Sequence, residues 1–167
     1  MHDASPGRSA FLAQAHRSNW QSYLDSLKPD ARAGWDVCVL TASDERQASI
    51  YRRQLDWRRE TGLLPALTRF VVIADPDGQR IGSGGATLRV LESLADSEQI
   101  EETFAQQRVL LIHSGGDSRR LPHASATGKI FSRVPRVLPD GRASTLFDEF
   151  LISLGGLVRD VPAGVLV

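Results

Sequence analysis

A chain of 167 residues with 41% hydrophobic composition is long enough to bury one sizeable core, and it lacks the bias of a disordered or collagen-like polymer. Its 20 basic and 20 acidic residues cancel, which excludes a global field drawing the protein to nucleic acid or an anionic membrane. Cys38 is the only cysteine, so a disulfide framework and a multi-cysteine zinc site are excluded as well.

Residues 1–9 are polar and small and lack the apolar stretch of a secretion signal, and nowhere do the ~20 apolar residues of a membrane span occur together. A cytoplasmic protein is expected. Residues 10–27 place Phe11, Leu12, Ala15, Tyr23, Leu24 and Leu27 at largely helical spacing, which predicts an amphipathic helix after a loose start. Lys28-Pro29-Asp30 stops it, because proline lacks a donor and biases its predecessor away from helix.

Residues 35–41 are β-branched and apolar without strict alternation, the pattern of a strand covered on both faces in a parallel sheet, with Cys38 buried. Ser43 or Asp44 can cap a helix running to about Arg59, and Gly62 ends it; its Trp57 is expected in the core rather than stacked on a base. Residues 68–74 read as a second strand, and Asp75-Pro76-Asp77-Gly78 as a turn. Gly82-Ser83-Gly84-Gly85-Ala86-Thr87 then reads as a loop opening onto a helix whose apolar positions are 88, 90, 91 and 94. Free N–H groups and the positive end of the helix dipole there favour an anion or a polar base edge.

Residues 96–106 predict a short surface helix in which Glu98, Glu101 and Glu102 are solvated. The apolar run Val109-Leu110-Leu111-Ile112 is a third buried strand, and it empties into Ser114-Gly115-Gly116, where glycines let backbone N–H groups converge on an anion. Arg119 offers a planar donor fork suited to phosphate oxygens and Lys129 a compact charge; Arg120 is either a second fork or a solvated neighbour. Residues 130–139, with two prolines, are extended chain or an edge strand, and Asp140-Gly141 is a turn. A helix follows from Thr145 through Leu157, with Leu146, Phe147, Phe150, Leu151 and Leu154 facing a core, and residues 163–167 read as a buried strand. Alternating strand and helix predicts an α/β fold with a parallel sheet, in which ligands bind at the carboxyl ends of the strands.

Several sites are excluded. Gly128-Lys129 is followed by Ile130, so it is not a Walker A loop, and Thr87 stands where a dinucleotide fingerprint needs its third glycine. Neither a His-Glu-x-x-His motif nor a nucleophile elbow around Ser114 occurs, and His113 reads as a strand-end residue rather than a base.

The run Gly115-Gly116-Asp117-Ser118-Arg119-Arg120-Leu121-Pro122, with Gly128-Lys129, resembles the nucleotide-sugar pyrophosphorylase signature, G-G-x-G-T-R-L-x-P followed by P-K. Arg119 stands three residues before Pro122 and Lys129 seven after it, as in that signature. The loop is one residue shorter between Gly116 and Arg119, Ser118 replaces the usual threonine, and Gly128 replaces the proline. Taken with Gly82 to Thr87 and Trp35-Asp36-Val37-Cys38-Val39-Leu40-Thr41-Ala42, the chain resembles the L-fucokinase/GDP-fucose pyrophosphorylase family, specifically its N-terminal guanylyltransferase part, over roughly residues 35–135.

The resemblance implies a parallel Rossmann-like sheet, incomplete at the C-terminus, with a tail and helix over residues 1–34 and part of a nucleotidyltransferase domain over 35–167. It implies synthesis of GDP-L-fucose from GTP and L-fucose 1-phosphate, with another nucleoside triphosphate and another sugar 1-phosphate left open as partners. Arg119 would hold the leaving phosphates and Lys129 would bridge the reacting ones. Gly82, Ser83, Gly84, Gly85, Thr87, Ser114, Gly115, Gly116, Ser118 and Arg120 would surround the nucleotide. Magnesium would complete the charge neutralisation, its main protein ligand expected beyond residue 167. The alternatives are an ATP-dependent L-fucose kinase and a non-catalytic nucleotide-binding fragment.

Overall fold

The computed structural model describes residues 6–31, 34–94, 105–115, 124 and 128–167. The chain runs α1 (Pro6–Ser26), β1 (Val37–Ala42), α2 (Glu45–Glu60), β2 (Arg69–Ala74), α3 (Gly82–Leu94), β3 (Arg108–His113), β4 (Arg133–Val137), β5 (Ala143–Thr145), α4 (Leu146–Gly155) and β6 (Val165–Leu166). Short 3-10 turns lie at Pro76–Gly78, Lys129–Phe131 and Leu157–Arg159.

Every residue of β1 is buried, because parallel strands flank it on both sides. Strand alternation sends Cys38, Leu40 and Ala42 to one face, where they meet Ala48, Tyr51 and Leu55 of α2 and Phe147, Leu151 and Ile152 of α4. Val37 and Val39 point the other way and pack with Val109 and with Val90 and Leu94 of α3. This is a Rossmann-like α/β arrangement, as the alternating pattern predicts.

The sheet order is β2-β1-β3-β6, all parallel. From β1 the chain goes to one side through α2 to reach β2, then returns past β1 through α3 to reach β3. The direction of winding therefore switches between β1 and β3, and connections leaving their carboxyl ends part to open a crevice, the place where open α/β sheets bind ligands. β4 and β5 form a separate antiparallel ribbon around the Asp140-Gly141 turn, so residues 133–137 pair outside the main sheet.

Several local expectations change. α1 starts at Pro6 rather than after residue 9, since proline is tolerated in a first helical turn. Its Phe11 and Leu12 are exposed, and the inward face is carried by Tyr23 with Trp20; Tyr23 donates to the Leu63 carbonyl at 2.8 Å. Trp57 is half exposed; the buried stripe of α2 is instead Ala48, Tyr51, Leu55 and Arg58, at steps of three and four. Residues 165–167 are partly exposed rather than buried, because among the described residues β6 has a partner strand on one side only. The helix expected over 96–106 falls almost wholly outside the described residues.

Candidate functional site

β1 and β3 end side by side, and hydrogen bonds fix how they end. The Ser114 backbone N–H donates to Thr41 Oγ1 at 3.2 Å, and the Ser114 hydroxyl donates to the Thr41 carbonyl at 2.7 Å. The Tyr51 hydroxyl, from α2, donates to the Ser114 carbonyl at 3.1 Å. Ser114 is thus buried with its hydroxyl committed inside the protein. Gly115 follows, where a Cβ would lie 3.2 Å from both Ala42 C and Ser43 N, so glycine allows the two strand exits to run together.

Over these ends lies a cavity of about 230 Å³ lined by Thr41, Asp75, Arg80, Gly82, Ser83, Ala86, His113 and Gly115. The two glycine-containing segments therefore meet: Gly82 and Ser83 from the start of α3, and Gly115 from the exit of β3. Gly82 to Thr87 is not a loop ahead of a helix, however; it forms the first turns of α3, which begins at Gly82 with φ 71°. The first N–H groups of a helix have no intrahelical partner, so this cavity receives donors and the positive end of the α3 dipole.

Gly84 faces open space, and Gly85 packs on Ile81, whose Cβ would lie 2.8 Å from an added Cβ. Neither lines the cavity. Thr87 acts indirectly. Its hydroxyl donates to the Ser83 carbonyl at 2.9 Å and lies 3.2 Å from His113 Nε2, which joins α3 to the end of β3.

Asp75 stands at the end of β2, its N–H donating to the Ala42 carbonyl at 2.9 Å. Burial pushes its carboxyl above the usual carboxylate range, against the opposing pull of Arg80 and Arg89. Thr41, Asp75 and Arg80 join the site although no motif in the sequence points to them; their position at or just past strand carboxyl ends is the signal that could find them. Among the described residues no three His, Cys, Asp or Glu side chains cluster, and Asp75 is the one carboxylate on this cavity. These residues do not build a magnesium site.

Lys129 is exposed on its 3-10 turn and lines a different, largely apolar cavity of about 390 Å³, with Leu110, Ile112, Ile130, Leu146 and Phe150. That cavity lies toward the α4 face, whereas Gly82 and Ser83 lie on the α3 side; His113 borders both. Gly116, Ser118, Arg119 and Arg120 lie outside the described residues.

Residues 101–167 match the family model of the fucose pyrophosphorylase domain. The chain is 34% identical over 166 residues to a bifunctional fucokinase/GDP-fucose pyrophosphorylase of Arabidopsis thaliana, covering 86% of this chain and 16% of that one. It is 46% identical over 101 residues to a fucose-1-phosphate guanylyltransferase of Mus musculus, covering 60% of this chain and 17% of the relative. Over these segments the chain is similar to fucose pyrophosphorylases.

The human fucose-1-phosphate guanylyltransferase is similar at 43% identity over 101 residues, covering 60% of this chain and 16% of that protein. The chain thus spans only about a sixth of the length of those curated proteins. No solved structure matches it at a significant level. The matched span holds β3, Gly115, the Arg119 segment, Lys129 and α4, while Gly82 to Thr87 precede it. Among the described residues no helix is long and apolar enough to cross a membrane.

Proposed function

We propose that this chain is the nucleotide-holding part of a guanylyltransferase that joins fucose 1-phosphate to GTP, giving GDP-L-fucose and pyrophosphate. The observation that carries the reading is the fucose pyrophosphorylase match over a segment whose Gly115 lies on the cavity between the ends of β1 and β3. The relatives' names supply guanine and fucose; no side chain on the cavity is assigned to a purine edge.

A phosphate oxygen of the sugar phosphate attacks the α-phosphorus of GTP, a new P–O bond forms, and the bond from α-phosphorus to the bridging oxygen breaks. Pyrophosphate leaves with that electron pair. The nucleophile is already an anion, so no general base is required. The barrier lies in bringing two polyanions together and holding charge on the leaving group, so positioning and electrostatics carry most of the catalysis. In this proposal the α3 N-terminus and the Gly115 backbone receive the nucleotide, Arg119 holds the leaving phosphates and Lys129 bridges the reacting ones. Magnesium belongs to the proposal only as the companion of the triphosphate.

Lys129→Ala and Arg119→Ala, made in the full-length protein and assayed for pyrophosphate release from GTP and fucose 1-phosphate, should each lower turnover at least ~100-fold with an unchanged circular dichroism spectrum. Normal turnover in both variants would remove the reading. The same preparation given fucose and ATP tests the kinase alternative, which predicts accumulation of fucose 1-phosphate.

A further inference from the structure

Tyr51 is completely buried, yet its contacts converge on the segment around the proposed site. Its hydroxyl donates to the carbonyl of Ser114, the residue already pinned to Thr41 at the exit of β3. On the other side the backbone of Gly128 passes so close that a Cβ there would stand 2.0 Å from the Tyr51 hydroxyl oxygen and 2.4 Å from its ring. Its ring also meets Phe131 edge-on, with centroids 5.3 Å apart, and Phe131 shares a single 3-10 turn with Lys129.

One side chain of α2 therefore spans the place where the chain leaves the sheet and the place where it returns to present Lys129. We infer that Tyr51 is a positioning residue, which sets Lys129 against the carboxyl end of β3 through its contacts with Ser114, Gly128 and Phe131. The inference rests on the guanylyltransferase reading for its catalytic consequence, but not for its geometry. Burial pushes the phenol up to about 12, so the hydroxyl stays a donor throughout any working pH range. A misplacement of about an ångström in a group that bridges reacting phosphates can cost about 100-fold in rate, so a residue that never touches substrate can still govern turnover.

Tyr51→Phe in the full-length protein tests this, because it keeps the ring and removes only the donor. Well below the melting temperature of both proteins, kcat for GDP-fucose formation should fall about tenfold or more while KM for GTP changes less than twofold. An unchanged kcat would overturn the inference. A second measurement needs no activity: hydrogen exchange without ligand should quicken at Ser114 and at residues 128–131 and stay unchanged in α1 and α3. Uniform quickening through the whole chain, or none, would make Tyr51 an ordinary core residue and overturn the proposal. Absent turnover in the wild type would remove the functional reading alone, and the exchange result would still judge Tyr51.

Discussion

Asp75 enters the site cavity from the end of β2 with its carboxyl pKa raised, chiefly by burial. A folded-state value above the unfolded one means that the protonated acid suits the fold better, so this group's effect makes stability fall as pH rises through the unfolded value to the folded one. Asp75→Asn should therefore be as stable as the wild type or slightly more so at neutral pH, with the difference vanishing below about pH 4, where the unfolded carboxyl is also protonated. Melting temperatures across that range decide it, and a variant less stable at neutral pH would show that the ionised carboxylate is held by its arginine neighbours after all. At the same scale, Gly128 is legible in the sequence as a departure from the signature's proline but not as a requirement. Its φ of 76° excludes proline, whose ring holds φ near −65°, and Tyr51 occupies the space any Cβ would need. That neighbour arrives from α2, far away in sequence, and no local pattern announces it. Thr41 is similar: it reads as the last residue of a buried strand, and only the β1–β3 register places its hydroxyl beside Ser114.

α2 and α4 are joined by a buried ion pair rather than by apolar contact alone. Arg58 Nε lies 3.2 Å from Asp148 Oδ1, and a terminal nitrogen of the same guanidinium lies 3.2 Å from Thr145 Oγ1. Asp148 in turn accepts from the Thr145 N–H at 3.0 Å, closing the capping box that starts α4, while the guanidinium lies against Phe131 and Phe147. Removing one partner strands the other charge in the core, so Arg58→Ala should cost about 3–5 kcal/mol in urea unfolding. Arg58→Met with Asp148→Leu should cost less than the single change, apart from the lost cap. A cost of Arg58→Ala below about 1 kcal/mol, in the range of an exposed pair, would show the bridge to be dispensable. The existence of these helices is plain in the sequence, since Asp44 and Thr145 mark their starts and apolar spacing marks their faces. The identity of the buried residue is less so, because tryptophan is the more apolar side chain and the helical period alone chooses Arg58 over Trp57. The glycines of α3 mislead for a related reason: glycine permits a loop but does not oblige one, and Gly82 to Gly85 begin a helix that Val90 and Leu94 anchor to the sheet.

At the scale of the whole molecule the sheet is thin at its β6 margin. β6 pairs with β3 at Arg108 and Val109, and three further backbone bonds extend the join, from the Gly164 N–H to the Gln107 carbonyl, the Val167 N–H to the Val109 carbonyl and the Leu111 N–H to the Val167 carbonyl. Val165 and Val167 are 38% and 40% exposed, and beside them opens the apolar cavity of about 390 Å³ floored by Leu110 and Ile112 and walled by Leu146, Phe150 and Leu154. The alternation of strands and helices, which the sequence displays clearly, implies such a sheet but says nothing of how far each strand accompanies its neighbour, because pairing length depends on where the chain between them is routed. An edge strand beside uncovered apolar surface offers both backbone groups and hydrophobic area to a second copy. The 167-residue chain should therefore self-associate with rising concentration, and Val165→Lys should suppress this by placing a charge on the edge, leaving the melting temperature within a few degrees of wild type. Sedimentation velocity over a hundredfold range of concentration reads the outcome: a wild-type chain that stays monomeric throughout would mean that the β6 margin is closed to partners despite its exposed valines.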